Sequence, residues 1–148
     1  MSEIYTLEIP GKLAEYSLTI PDRLPGLNEY IEETRRNRYK GAQMKSRNQS
    51  LVEWCIYSQL RKIKISNPVF LLFTWYEKDR RRDHDNVSSY GRKIIQDALV
   101  ETGVLLNDGW QHVTGYIDRF EVDSKNPRVV VQFIEQEETQ CKQKPKKN

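Results

Sequence analysis

A chain of 148 residues suits one compact domain and leaves little room for a second. With 37% hydrophobic and 30% charged residues, the core is small or shared with a partner subunit, and no apolar run approaches the roughly 20 residues of a membrane span. The net charge of +3 names no partner by itself, but the charge is unevenly placed along the chain.

Ile4 to Ile9 and Glu15 to Ile20 predict two short strands around the turn dipeptide Pro10-Gly11, a hairpin at the edge of a sheet. Pro21 to Gly26 breaks that pattern. From Asn28 to about Lys62 the chain is helix-compatible, and Val52, Cys55, Ile56, Gln59, Leu60 and Ile63 recur at three and four, giving a mostly apolar face. Gly41 allows either one bent helix or two. In this stretch Arg35, Arg36, Arg38, Lys40, Lys45 and Arg47 crowd into a segment without Asp or Glu, with Tyr39 interleaved. Such a segment neutralises DNA phosphates and releases counterions; the plainer account is a solvated helix face.

Asn67-Pro68 turns the chain into Val69 to Tyr76, whose Phe70, Leu71, Leu72, Phe73 and Trp75 predict a strand buried on both faces. Beyond it come Lys78 and then Arg80-Arg81-Arg82-Asp83-His84-Asp85-Asn86. In an extended segment Asp83 and Asp85 point the same way, and Asp85 or Asn86 serves as N-cap of the next helix. That helix carries Val87, Tyr90, Ile94, Ala98 and Leu99 at helical spacing, and Gly103 stops it. Asp108, in the turn Asn107-Asp108-Gly109, is placed to bring a third carboxylate to the first two. Val113 to Val122 and Arg128 to Ile134 predict two further strands, separated by Asp123-Ser124-Lys125-Asn126-Pro127. The expected architecture is an α/β or α+β domain over residues 1–136, a mixed sheet with two main helical regions on one face. Residues 137–148, with Lys142, Lys144, Lys146 and Lys147, predict a disordered basic tail.

Clustered aspartates repel, and proteins spread them out or give them a cation. Hard oxygen donors without grouped Cys or His favour Mg2+ or Mn2+ over zinc. The competing account makes the aspartates a helix cap and salt-bridge partners of Arg80, Arg81 and Arg82, which otherwise steer a phosphate toward the metal. His84 is expected to point away from the pair, and His112 to start a strand. Trp54 and Trp75 are expected in core or interface; Trp110 either contacts DNA or packs under its turn. Cys55 and Cys141 show no metal or redox spacing, as expected of reduced thiols in a cytoplasmic protein, and the N-terminus shows no signal-peptide pattern.

Asp83-x-Asp85-Asn86, Lys93 with Asp97-Ala98-Leu99 four residues on, and Gly103-Val104-Leu105-Leu106-Asn107-Asp108 together resemble the RusA family of Holliday-junction resolvases. The resemblance covers roughly residues 69 to 134. It implies the same fold, a homodimer that cuts four-way DNA junctions with Mg2+ or Mn2+, metal-binding aspartates at Asp83, Asp85 and Asp108, and a functional lysine at Lys93. It departs from the family in an insertion of about four residues before Lys93, which keeps the lysine on nearly the same helix face but moves it roughly 6 Å along the axis. Either Lys93 still reaches, or the inserted turn unwinds, or Arg92 substitutes; Lys93 is preferred for its spacing to Asp97 and Asp108. The expected chemistry is hydrolysis by a metal-activated water, leaving a 5′ phosphate and a 3′ hydroxyl. A less selective nuclease for branched DNA, a non-catalytic junction-binding module and a factor that binds an acidic protein are the rival functions.

Overall fold

The structure is a computed structural model and describes residues 8–137. The strand expected over Ile4 to Ile9 lies outside them except for Glu8 and Ile9, and the basic tail lies outside them except for Glu137. The elements run β1 (Lys12–Pro21), α1 (Leu27–Arg36), α2 (Arg38–Gln59), β2 (Val69–Glu77), α3 (His84–Glu101), β3 (Val113–Val122) and β4 (Arg128–Glu135). The four strands form one mixed sheet in the order β1-β4-β2-β3. β4 pairs antiparallel with both β1 and β2, while β2 and β3 are parallel and joined through α3. The expected α+β architecture is observed, and the first of its two helical regions consists of two helices, α1 and α2, one of the two forms expected there.

The core lies between the helices and one face of the sheet. Leu18 and Ile20 of β1, Leu71 and Phe73 of β2, and Val131 and Phe133 of β4 are fully buried there, against Val52 and Ile56 of α2 and Ile94, Ile95 and Leu99 of α3. Phe70, Leu72 and Tyr76 point to the opposite face and are only half-buried. β2 is therefore not buried on both faces: its even-numbered residues look away from the helices, as a period of two requires. Trp75 joins the core, whereas Trp54 is 67% exposed on α2.

The helical region breaks at Asn37. This residue is extended (φ −162°, ψ 120°), its side chain accepts the Tyr39 N–H at 2.9 Å as the N-cap of α2, and its own N–H closes α1 on the Glu33 carbonyl. Gly41 lies inside α2 and serves contact instead. A Cβ there would stand 2.4 Å from Thr34 Oγ1 and 3.1 Å from Thr34 Cα, so the glycine lets α1 and α2 approach closely. Gln59, the last residue of α2, grips the outer strand: its Oε1 accepts the Thr19 N–H at 2.8 Å and its Nε2 donates to the Thr19 carbonyl at 2.6 Å. Gly103 ends α3 as expected, with φ +82°, a conformation that disfavours residues bearing a Cβ.

Candidate functional site

Asp83 is the N-cap of α3. Its backbone is extended and its Oδ1 accepts the Asn86 N–H at 2.8 Å, so the cap falls at Asp83 and not at the expected Asp85 or Asn86, and the helix begins at His84. Asp83 and Asp85 consequently do not share an extended segment; one caps the helix and the other occupies its first turn, where a carboxylate favours the positive end of the helix dipole. Both are exposed, and both border one shallow depression with Leu27, Asn28, His84 and Asn86. The His84 ring stacks on Phe120 of β3, with centroids 4.1 Å apart and planes 8° from parallel. Asn86 has a separate task. Its Oδ1 accepts the Asn28 N–H at 2.9 Å, supplying to the first turn of α1 the cap that Gly26, its own N-cap residue, cannot provide.

The basic run before Asp83 divides. Arg80 and Arg81 are exposed, and Arg81 lies 3.6 Å from Asp79. Arg82 is turned inward, its side chain 11% exposed. It is paired with the equally buried Glu77 at 2.6 Å and donates to the Leu24 carbonyl at 3.1 Å. Its expected part in binding DNA is therefore corrected to a structural one: Glu77, at the end of β2, requires a buried countercharge. The pair lines the wall of a cavity of about 500 Å3 at the carboxyl ends of the parallel strands β2 and β3, together with Asp79, Asp83, His84, Phe120 and Glu121. Of the earlier basic segment, Arg35 and Arg36 end α1, and Arg38, Lys40, Lys45 and Arg47 belong to α2. Arg35, Arg38, Lys40 and Arg47 are exposed; Arg36, also exposed, pairs with Glu32 at 3.1 Å.

Halfway along α3 a second group forms. Lys93 Nζ lies 2.9 Å from Asp97 Oδ1 and 3.3 Å from Asp108 Oδ2, and Lys45 Nζ lies 3.8 Å from Asp97 Oδ2. Lys93 thus meets Asp108, while the inserted turn stays helical and leaves the lysine about 12 Å of helix rise from Asp85, so it does not join the Asp83–Asp85 pair. The hydrogen bond to Asp97, followed by that carboxylate's charge and the contacts with Asp108, raises the lysine pKa above its ordinary value, outweighing partial burial. Lys93 is therefore a fixed cation at neutral pH, its charge balanced by Asp97 and Asp108, and unsuited to accepting a proton. Arg92 does not substitute for it. Its guanidinium pairs with Asp118 on β3 and lies over the Tyr116 ring at 4.1 Å, while Trp75 Nε1 donates to the other Asp118 oxygen at 2.9 Å.

The loop after α3 is fastened at both ends. Val104 and Leu105 are buried, and the Ile65 N–H donates to the Val104 carbonyl at 2.8 Å. On the far side, the Gly109 carbonyl accepts from His112 at 3.0 Å and Val113 at 2.9 Å, and the His112 carbonyl accepts from Val69. Asn107 Oδ1 accepts the Gly109 N–H at 2.5 Å, an Asx turn. Trp110 stands 95% exposed on this loop, so it does not pack under the turn.

As hard, exposed oxygen donors, Asp83 and Asp85 fit Mg2+, which is commonly held by one or two carboxylates with substrate phosphates and waters. The expected triad does not assemble on one ion. Among the described residues no three His, Cys, Asp or Glu side chains are placed to hold a metal, and Asp108 meets the helix at Lys93, about 12 Å of helix rise from Asp85. Asp97, Asp118 and Glu77 were not singled out as members of the site by the sequence pattern; only Asp97 carried a signal, its spacing four residues after Lys93. No helix among the described residues is long and apolar enough to cross a membrane. No protein-family model matches the chain, and no curated protein is significantly similar to it.

Proposed function

We propose that the chain is a RusA-like, Mg2+-dependent endodeoxyribonuclease of the cytoplasm that cuts branched DNA, four-way junctions foremost, as a homodimer. The observation that carries this reading is the exposed pair Asp83 and Asp85 on one depression at the start of α3, flanked by Arg80 and Arg81. Asp83 and Asp85 would hold Mg2+ (or Mn2+), which supplies a water of lowered pKa and stabilises charge on the phosphate and the leaving oxygen. Arg80 and Arg81 draw the DNA backbone toward the pair, and Lys93, charged and held by Asp97 and Asp108, faces a phosphate further along α3. Arg35, Arg36, Arg38, Lys40, Lys45 and Arg47 add sequence-independent affinity that weakens as salt rises. Two copies about a two-fold axis present equivalent sites to two strands, as paired cuts require.

A second reading rests on observations of its own. Asp83 caps a helix and Asp108 balances Lys93, so structure alone accounts for two of the three aspartates, as in a DNA-binding module without catalysis. The test is cleavage of a labelled four-way junction and a matched duplex with Mg2+, Mn2+ or EDTA, using wild type and Asp85→Asn. Paired cuts confined to the junction, dependent on metal and lost in the variant while binding persists, are expected. Tight binding of an intact junction with every metal would leave the non-catalytic module standing.

A further inference from the structure

We propose that the outer edge of β3 pairs antiparallel with the β3 of a second copy, centred on Phe120; this rests on the homodimer proposed above and gives it a surface. The two edges of the sheet differ. β1 is closed: Gln59 bonds both the N–H and the carbonyl of Thr19 on its outer side, the register shifts between Leu13 and Ser17, and Pro21 ends the strand. Coverage, bulges and proline are the usual means of keeping an edge from pairing. β3 has none of them over its regular run from Gly115 to Val122, where its one strand neighbour among the described residues is β2.

The ladder identifies the outward groups. Asp123 donates its N–H to the Glu77 carbonyl at 2.8 Å, and the backbone groups of successive strand residues point to alternate sides. The N–H and carbonyl groups of Val122, Phe120, Asp118 and Tyr116 therefore face away from β2, and they have no hydrogen-bond partner among the described residues. Charge selects the occupant and the register. Arg119 and Glu121, two apart, share one face of the strand and are both more than half exposed; their mutual contact of 3.9 Å along the strand is too open to hold them. Two antiparallel copies centred on Phe120 set each Arg119 opposite the partner's Glu121, and Asp118 opposite the partner's Val122, which is uncharged. Centring on Asp118, Arg119 or Glu121 would set like charges opposite each other, which destabilises a strand pair. Centres nearer Gly115 leave Arg119 and Glu121 without a charged partner. The edge is thus complementary to itself at one register. Phe120, Glu121 and Val122 also wall the cavity of about 500 Å3 beside Asp83 and Arg80, so the paired strand of the second copy completes that wall.

The experiment is sedimentation equilibrium of DNA-free protein, which reads mass without nuclease activity, on wild type, Arg119→Glu, the exchange Arg119→Glu/Glu121→Arg, and Val122→Pro. Wild type should have twice the chain mass of 17.6 kDa. Arg119→Glu turns both cross-strand pairs repulsive and should weaken self-association at least about ten-fold, whereas the exchange should restore it to within about three-fold. Val122→Pro removes an outward N–H and leaves the bonds to β2 in place, so it should dissociate while its circular dichroism stays that of wild type. Hydrogen exchange should show the Phe120 and Val122 amides protected in the wild-type dimer. A dimer in which these amides are unprotected, or which Arg119→Glu and Val122→Pro leave intact, would overturn the surface and leave the homodimer standing. Failure of the exchange to restore the dimer would overturn the register. Wild type that stays monomeric at every concentration overturns the surface and the homodimer together, while metal-dependent cleavage is judged by its own assay.

Discussion

Asp83 caps α3 and, under the proposed function, also holds a metal ion, and two substitutions at that position divide the two roles. As N-cap of α3 its Oδ1 accepts the Asn86 N–H at 2.8 Å, satisfying a donor that the helix leaves without an internal partner. Asn caps about as well as Asp, whereas Ala cannot accept the bond, and loss of an N-cap costs about 1 kcal/mol, within a range of roughly 0.5–2. Asp83→Ala should therefore unfold more easily by about 1 kcal/mol, which for a chain of this length lowers Tm by about 3 °C. Asp83→Asn should remain within about 0.5 kcal/mol of wild type, because only its charge at the positive end of the helix dipole is lost. Cleavage should vanish in both, since neither amide nor methyl replaces a carboxylate at a metal. The assays are urea unfolding followed by circular dichroism, and junction cleavage with Mg2+. Equal destabilisation by Asn and Ala would refute the capping assignment; full cleavage by Asp83→Asn would remove the residue from the chemistry and leave it a cap.

Three further outcomes follow from other contacts. Removing Arg82 leaves Glu77 buried without a countercharge, so Arg82→Ala should cost about 3–5 kcal/mol, while Arg80→Ala should weaken junction binding with little change in stability; urea titrations showing equal stability for the two variants would contradict this division. Gly41→Ala drives a methyl against Thr34 and should cost about 1–3 kcal/mol. Since the nearest atom is Thr34 Oγ1, the double variant with Thr34→Ala should be less destabilised than the two single costs added, and strict additivity would speak against the contact. Burial, with the charge and hydrogen bond of Glu135, pushes the Tyr16 hydroxyl up to about 12. Because the folded value exceeds that of the unfolded chain, this contribution to stability is complete below about pH 10 and is lost as pH rises from there through about 12. Wild type should lose more stability than Tyr16→Phe across that window in urea titrations, and identical losses would show that the hydroxyl is not perturbed.

Local patterns were enough to locate most elements. The apolar run before Glu77, the helical spacing from Val87 to Leu99 and the turn formers from Asp123 to Pro127 each delimit an element because the signal is contained within the segment itself. The helix break was misplaced because glycine is permissive but not obligatory as a breaker: a side-chain cap at Asn37 makes the break, and Gly41 answers a contact with Thr34 that only tertiary structure brings about. The same limit governs the site. Lys93 and Asp108 meet as their spacing suggests, but whether an arginine faces solvent or the interior depends on a partner supplied by the fold, as Glu77 does for Arg82 and Asp118 for Arg92. The triad of aspartates is expected from an extended Asp83–Asp85 segment, a chain that folds back at Asp108 and the family resemblance, but the first pair lies at the start of α3 and Asp108 meets that helix at Lys93, so the length of helix between them keeps the third member apart from the first two.

The amide of Asn86 has a mechanical consequence. The first residues of α1 and α3 share it, and Gly26 leaves no room between them, since a Cβ there would stand 2.6 Å from Asn86 Oδ1. The helix that ends in Arg35 and Arg36 therefore cannot tilt at its start without releasing a bond made by the residue next to Asp85. A load on the far end of α1 is borne at the root of the aspartate pair, so under the proposed function DNA grip and cleavage would share one joint.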